Sequence, residues 1–166
     1  MSPIKKLRKL TYTAIISAIV AVSSTIVYIP VGFAKIFPVQ HLANILTAVL
    51  VGPYYAVVQA LVASTIRNIM GTGSLFAFPG SMIGALLAGI VYSKTKNLTF
   101  TALGEVIGTG IFGAMAAYPV AVLILGQEAT LFGLVPAFIM SSFAGAAFAF
   151  FLLKVLERNH VLKKVI

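Results

Sequence analysis

The stretch FPVQHLANILTAVLVGP, residues 37–53, decides how the whole sequence is interpreted. Its apolar part is bounded by Pro38 and Pro53, and proline removes a backbone donor and clashes with a continuing helix. An α-helix of about 13 residues is about 20 Å long, whereas the hydrocarbon core of a bilayer is about 30 Å thick. The stretch therefore predicts a helix too short to cross a membrane. Three hydrogen-bonding side chains lie near its start: Gln40, His41 and Asn44.

The composition indicates that the chain lies in a lipid bilayer. Of its 166 residues, 60% are hydrophobic and 9% are charged, and the mean hydropathy is +1.08, far outside the range of soluble domains. The net charge of +9 does not indicate a nucleic-acid partner, because the cations flank apolar segments instead of covering one soluble face. The absence of cysteine excludes disulfides and thiolate metal ligands. We therefore predict a cell-membrane protein whose surroundings are lipid.

Apolar segments separated by Gly, Pro or Lys predict an all-α integral membrane protein with six transmembrane helices in one domain, residues 1–166. The predicted ranges are Leu10–Tyr28, Val39–Val51, Tyr54–Met70, Pro79–Tyr92, Phe100–Leu125 and Leu131–Leu156. The first segment is too long for a signal peptide and no cleavage site follows it, so we predict that it is retained. Small residues four apart, Gly80 and Gly84 in the fourth helix and Gly104 and Gly108 in the fifth, predict close helix packing.

The distribution of cations predicts the topology. Ten of the twelve Lys and Arg residues fall on one side of the membrane only if the number of spans is even, as it is with six. They are Lys5, Lys6, Arg8, Lys9, Lys94, Lys96, Lys154, Arg158, Lys163 and Lys164. Because cytoplasmic loops carry an excess of Lys and Arg, both termini are predicted to be cytoplasmic.

The short second helix predicts a cavity that opens to the outside. Its missing length lies on the outer side, where YIPVGFAKIFP, residues 28–38, contains prolines and a glycine. Backbone that is not helical at membrane depth must be buried in protein or line a cavity, because lipid cannot satisfy its polar groups. We therefore predict a cavity that is roofed by residues 29–39.

Polar side chains from several segments are predicted at the level of this cavity: Gln40, His41, Asn44, Arg67, Asn68, Thr72, Ser74 and Tyr118. Aromatic side chains of the two outer loops are predicted to close over a flat ligand: Phe33, Phe37, Phe76 and Phe78. Any one polar residue alone could lie at the lipid interface, but polar groups inside a membrane are costly and usually face a cavity or a partner. Glu105 lies nearer the inner side, where it could form the floor of the cavity or contact a partner.

The sequence does not favour catalysis. Glu105 and Glu128 are predicted at opposite ends of the fifth helix, too far apart to act as a catalytic pair. His41 and His160 are predicted on opposite sides of the membrane, so they form neither a metal site nor a triad. No phosphate-binding loop sequence occurs. We predict a binding protein without a cofactor or a metal, and not an enzyme.

Three stretches resemble the ThiW family, the hydroxyethylthiazole-specific S components of energy-coupling-factor (ECF) vitamin transporters. They are PVGFAKIFPVQHLANILTAVLVGPYYAV, IRNIMGTGSLFAFPGSMIGALLAG and GEVIGTGIFGAMAAYPVA, which together cover roughly residues 30–122. The resemblance implies capture of the thiazole precursor of thiamine from outside and docking on an ECF module of one transmembrane T protein and two ATPases. It also implies that an AxxxA face on the first helix, here Ala14 and Ala18, contacts the T protein.

The predicted polar groups suit such a ligand, which is small, neutral and aromatic and carries a ring nitrogen and a hydroxyl. Gln40, His41, Asn44 and Asn68 can donate or accept hydrogen bonds, and aromatic rings such as Phe37, Phe76 and Tyr118 can stack on the ring. Two alternatives remain at this stage. The ligand could be another vitamin fragment such as a pyrimidine, or the chain could be a membrane scaffold without transport.

Overall fold

Six helices and one short hairpin form the computed structural model, which describes residues 3–31, 34–160 and 162. The helices are α1 (Pro3–Ser23), α2 (Pro38–Leu50), α3 (Pro53–Ile69), α4 (Ala77–Thr95), α5 (Leu98–Ile124) and α6 (Val135–Arg158). The strands are β1 (Ile29–Val31) and β2 (Ala34–Ile36). The predicted helical architecture is confirmed, but α1 ends at Ser23 and not at Tyr28. Phe33, Lys163 and Lys164 lie outside the described residues.

Successive helices alternate in direction, because short segments connect them. The hairpin therefore lies at one end of the bundle, together with the end of α3 and the starts of α4 and α6. We call this the hairpin end. Pro3 and Arg158 lie at the other end, which also carries exposed cations: Lys5, Lys6, Arg8, Lys94, Lys96, Lys154 and Arg158. The structure thus brings the described cations of the predicted inner side to one end.

Helix α2 has the predicted short length, 13 residues, and its ends have clear local causes. Pro38 occupies the first turn, where a missing N–H costs nothing. At the other end Gly52 has φ +104°, a backbone conformation that favours glycine. The carbonyl of Val51 accepts a hydrogen bond from Lys9 Nζ at 3.0 Å, which ties α1 to the end of α2.

The segment between α1 and α2 is a two-stranded antiparallel hairpin. Ile29 pairs with Ile36, and Val31 pairs with Ala34. The hairpin explains how backbone outside a helix satisfies its own polar groups, and Phe37 N donates to Ser141 Oγ at 3.0 Å just after it. The predicted absence of helix in this segment is confirmed, whereas its pairing as a hairpin was not predicted.

Helices α4 and α5 pack backbone to backbone, as the small residues predict. A Cβ atom at Gly108 would lie 2.9 Å from Gly84 Cα, and one at Gly113 would lie 2.7 Å from Gly80 Cα. Helix α5 contains two π-helical turns, Gly108–Gly113 and Val120–Ile124. Such turns break the regular helix and are frequent at functional sites.

Within the described residues, α5 and α6 are the two helices long and apolar enough to cross a membrane by length and composition. Helices α2 and α3 have 13 and 17 residues, and α1 begins with several cations.

Candidate ligand-binding cavity

A cavity of about 570 Å³ lies at the hairpin end of the bundle. Its size is within the range of small-molecule sites. Its lining side chains come from the ends of α1 and α3, the starts of α2, α4 and α6, the middle of α5 and the connecting segments. They include Ser24, Tyr28, Phe37, Gln40, His41, Arg67, Thr72, Phe76, Ser81, Thr109, Phe138 and Ser141. Seven of the residues predicted from the sequence line it: Phe37, Gln40, His41, Arg67, Thr72, Ser74 and Phe76.

A buried carboxylate lies beneath the cavity and organises its floor. Glu105 is fully buried, and its Oε1 atom accepts hydrogen bonds from His41 Nδ1 at 2.9 Å, Asn44 Nδ2 at 2.9 Å and Thr109 Oγ1 at 3.0 Å. Asn44 Nδ2 also donates to the Ser81 carbonyl at 3.1 Å. We call Glu105, His41, Asn44 and Thr109 the carboxylate floor. Of the two positions left open by the sequence, Glu105 therefore occupies the one at the base of the cavity.

The carboxylate floor determines what His41 presents to the cavity. When Nδ1 of the imidazole donates to the Glu105 carboxylate, Nε2 of the neutral ring is left as a hydrogen-bond acceptor. This tautomer is assigned from the hydrogen-bond geometry. His41 lines the cavity, and Nε2 has no partner among the described residues. The floor can therefore accept a hydrogen bond from a hydroxyl group of a ligand.

Arg67 forms one wall of the cavity although it is only 2% exposed. Its NH1 donates to Gln40 Oε1 at 3.1 Å and its NH2 donates to the Thr72 carbonyl at 3.1 Å. The guanidinium carbon lies 4.1 Å from the centroid of the Phe37 ring, a cation–π contact. Two buried donors on this wall, Arg67 Nε and Gln40 Nε2, have no partner in the described part of the chain. Both atoms are buried from solvent, so an acceptor on a ligand reaches them only if these side chains move.

Three predicted residues lie away from both the cavity lining and the carboxylate floor: Asn68, Phe78 and Tyr118. Asn68 Nδ2 donates to the carbonyls of Ser64 at 2.8 Å and Ser74 at 3.1 Å, so it shapes the turn after α3. Tyr118 lines a separate shallow depression beside the segment between α5 and α6. The side of a helix on which a residue lies depends on the number of residues per turn. Part of α5 is π-helical, so the sequence pattern did not show which side of the helix Tyr118 faces.

Several hydroxyl groups of the cavity were missed as site residues in the sequence. Thr109 lies one turn after Glu105 on α5, and this i, i+4 spacing to a buried acid is the signal that could have found it. Ser81 bonds to Ser64 Oγ at 3.1 Å, and Ser24 bonds to Thr72 Oγ1 at 3.0 Å. Such small polar residues occur on many helix interfaces, so no sequence signal distinguishes them.

The face of α1 that turns away from the bundle carries Ala14 and Ala18. Both residues are exposed, while Thr13 and Ser17 on the adjacent face, toward the bundle, are buried. Ile15 and Ile19 are exposed beside the alanines, at 52% and 55%. This face is therefore apolar and exposed in the described bundle. The small side chains of Ala14 and Ala18 allow a second helix to approach closely.

Comparisons with known proteins agree with this fold. A family model described as thiamine-precursor transporter protein (ThiW) matches residues 10–159. A solved structure described as the S component of a bacterial ECF transporter matches with a TM-score of 0.76 and 20% sequence identity. That match covers 94% of this chain and 98% of the other, and at this identity it shows the fold. No curated protein matches the sequence at a significant level.

Proposed function

We propose that this chain, which belongs to the ThiW family of thiamine-precursor transporter proteins, captures hydroxyethylthiazole from outside the cell and delivers it through an ATP-driven partner module. The family and the S-component fold make the chain a membrane transporter subunit and not an enzyme. The identity of the ligand and of the partner module is the proposed part. Another vitamin fragment, such as a pyrimidine, is the alternative ligand within the same architecture.

One observation supports this choice of ligand. The cavity combines a hydrogen-bond acceptor in its floor with hydrogen-bond donors in its wall, among aromatic rings. His41 Nε2 can accept a hydrogen bond from the hydroxyl of hydroxyethylthiazole. Arg67 Nε and Gln40 Nε2 can donate to the ring nitrogen, and both are unpartnered in the described chain. The rings of Phe37 and Phe76 line the same space and suit a flat heterocycle.

Tight capture of such a small molecule requires closure of the cavity. The best small ligands gain no more than about 1.5 kcal/mol per heavy atom, and hydroxyethylthiazole has about nine, so nearly every atom must be buried. Tyr28 and Phe37 flank the hairpin, with ring centroids 6.4 Å apart, and both line the cavity beside Phe76. We propose that the hairpin and the segment between α3 and α4 close over the ligand.

Isothermal titration calorimetry with purified protein tests the ligand. We expect saturable one-to-one binding of hydroxyethylthiazole, and a loss of affinity of about tenfold or more in His41→Ala and in Asn44→Ala, because each loses a hydrogen bond of the floor. The matched control is His160→Asn, at the exposed second histidine, whose positive φ asparagine tolerates. Unchanged affinity in both floor variants contradicts the site, and no binding by folded wild type contradicts the ligand.

We propose that all six helices cross the bilayer as one domain, residues 1–166, with both termini in the cytoplasm. The exposed cations at the end opposite the hairpin support this orientation, because Lys and Arg accumulate on the cytoplasmic side. The cavity then opens to the outside, where the ligand arrives. Labelling of Phe37→Cys by an impermeant thiol reagent in intact cells, blocked by ligand, tests both the orientation and the position of the cavity.

We propose that the exposed α1 face with Ala14 and Ala18 docks on the T protein of the ECF module, whose two ATPases supply the energy. Ala14→Leu and Ala18→Leu are expected to lower uptake of radiolabelled hydroxyethylthiazole by at least about tenfold and to leave binding unchanged, because bulk separates the helix backbones. Ala14→Ser, which keeps a small side chain, is the matched control. Normal uptake in both leucine variants contradicts the docking face.

A further inference from the structure

We propose that Arg67 is a charge filter, which lets the cavity bind neutral thiazoles and makes it reject N-alkylated thiazolium cations. The inference rests on the proposed function, since it concerns which members of the thiazole class the same cavity accepts. It starts from an imbalance of charge. The cavity wall holds the positive charge of Arg67, and the one buried acid of the described residues, Glu105, belongs to the carboxylate floor but does not line the cavity.

The positive charge of Arg67 is not neutralised by an acid. All three acidic residues of the chain lie in its described part, and none of them forms an ion pair with Arg67. The guanidinium instead contacts neutral groups, the Gln40 side-chain oxygen and the Thr72 carbonyl. A buried cation with neutral partners keeps its field within the cavity, because little water is present to screen it.

The negative charge of Glu105 lies beneath the cavity lining and is shared by three hydrogen bonds. Its Oε1 atom already accepts three hydrogen bonds, from His41, Asn44 and Thr109. Its Oε2 atom is buried and has no partner among the described residues, and Glu105 does not line the cavity. A cationic ligand would therefore meet the imidazole of His41 before it met the carboxylate.

One face of Phe37, the aromatic ring beside Arg67, is also occupied. Arg67 stacks on the Phe37 ring with its guanidinium carbon 4.1 Å from the ring centroid. Rings bind cations through the negative charge of their faces, and here the protein's own cation uses one face. A thiazolium ring in the cavity would thus meet a like charge without a free counter-charge or an open cation–π partner on this wall.

The size of the expected discrimination follows from Coulomb's law. Two unit charges about 6 Å apart, at an effective dielectric constant of about 20, change an affinity by roughly a hundredfold. A neutral thiazole avoids this repulsion and offers its ring nitrogen to Arg67 Nε or Gln40 Nε2. An N-alkylated ring carries a permanent positive charge and has lost that acceptor. Thiamine, the finished vitamin, belongs to the second class.

Calorimetry with three ligands tests the filter: hydroxyethylthiazole, its N-methyl thiazolium salt, and its neutral 2-methyl homologue, which controls for the bulk of the added methyl. We expect wild type to bind both neutral ligands, with hydroxyethylthiazole favoured over the thiazolium by about a hundredfold. Arg67→Met is expected to reduce this ratio by at least about tenfold, whereas Arg67→Lys preserves it because the charge remains. A purely structural role of Arg67 would change the affinities for all three ligands in parallel.

The outcomes separate the filter from the proposed substrate. Equal wild-type affinity for the thiazole and the thiazolium overturns the filter without requiring any variant to fold. A ratio that stays unchanged in a folded Arg67→Met also overturns it, while the proposed substrate stands. If folded wild type binds none of the three ligands, the proposed substrate and the filter are overturned together.

Discussion

Glu105→Ala is expected to lower the affinity for hydroxyethylthiazole by about a hundredfold or more. Donors from α2 and from α5 itself converge on one oxygen of this carboxylate. His41 and Asn44 would lose this acceptor in a buried place, whereas the Thr109 hydroxyl would keep the Gly80 carbonyl at 3.2 Å. A buried donor without a partner costs about 1–3 kcal/mol of folding free energy, so His41 and Asn44 are expected to turn to other acceptors and to leave the positions that bind the ligand. A hundredfold loss of affinity corresponds to roughly 2.7 kcal/mol. His41 would also lose the group that fixes its tautomer, and with it the acceptor offered to the ligand.

Calorimetry on four proteins isolates this role. Glu105→Gln keeps the shape and one oxygen acceptor, so its loss of affinity is expected to be smaller than that of Glu105→Ala. Glu157→Ala is the matched control, because Glu157 is an exposed acid that pairs with Lys154 on the surface of α6 at 3.0 Å. Wild-type affinity in a folded Glu105→Ala would contradict the floor as part of the binding site.

Much of the fold could be predicted because a membrane limits the length and composition of each helix, and both can be determined from short stretches of sequence. The lengths of the apolar segments and the prolines around residues 37–53 give the helices and the short α2. The small residues of α4 and α5 give their close contact. The early end of α1 was not visible, since residues 24–28 remain apolar enough to continue a helix. The hairpin was hidden for a similar reason, because three-residue strands carry almost no periodic signal.

The residues that line the cavity were predicted better than the hydrogen bonds between them. Sequence spacing gives the level of a residue along a helix, which is why His41, Gln40 and Arg67 were found from their positions near helix ends. It does not give the tilt and rotation of one helix against another. Those decide that Glu105 reaches His41 over a separation of 64 residues, and that Tyr118 turns toward a different depression. Pairing across helices therefore required the structure.

Gly84→Leu is expected to abolish measurable ligand binding and to destabilise the fold by about 3 kcal/mol or more. A Cβ at position 84 would meet Thr109 Oγ1 and would lie 2.8 Å from Glu105 Oε1 and 2.7 Å from its Oε2. The backbone of α5 offers no room for relief, because a Cβ at Gly108 would already lie 2.9 Å from Gly84 Cα. The leucine must therefore push α4 away from α5 or displace the carboxylate floor.

Thermal unfolding in detergent and calorimetry measure the two effects separately. Leu86→Phe is the matched control, because it adds bulk to the same helix at a side chain that is 41% exposed. Gly84→Ala is the more conservative variant, since it adds only the Cβ whose contacts the structure defines. If α4 and α5 stay in contact and only the side chains of the carboxylate floor move, Gly84→Ala loses affinity for the ligand while its melting temperature changes little. Wild-type binding and stability in Gly84→Leu would mean that α4 and α5 are not in contact at Gly84. That result would also contradict the position of Glu105 under the cavity.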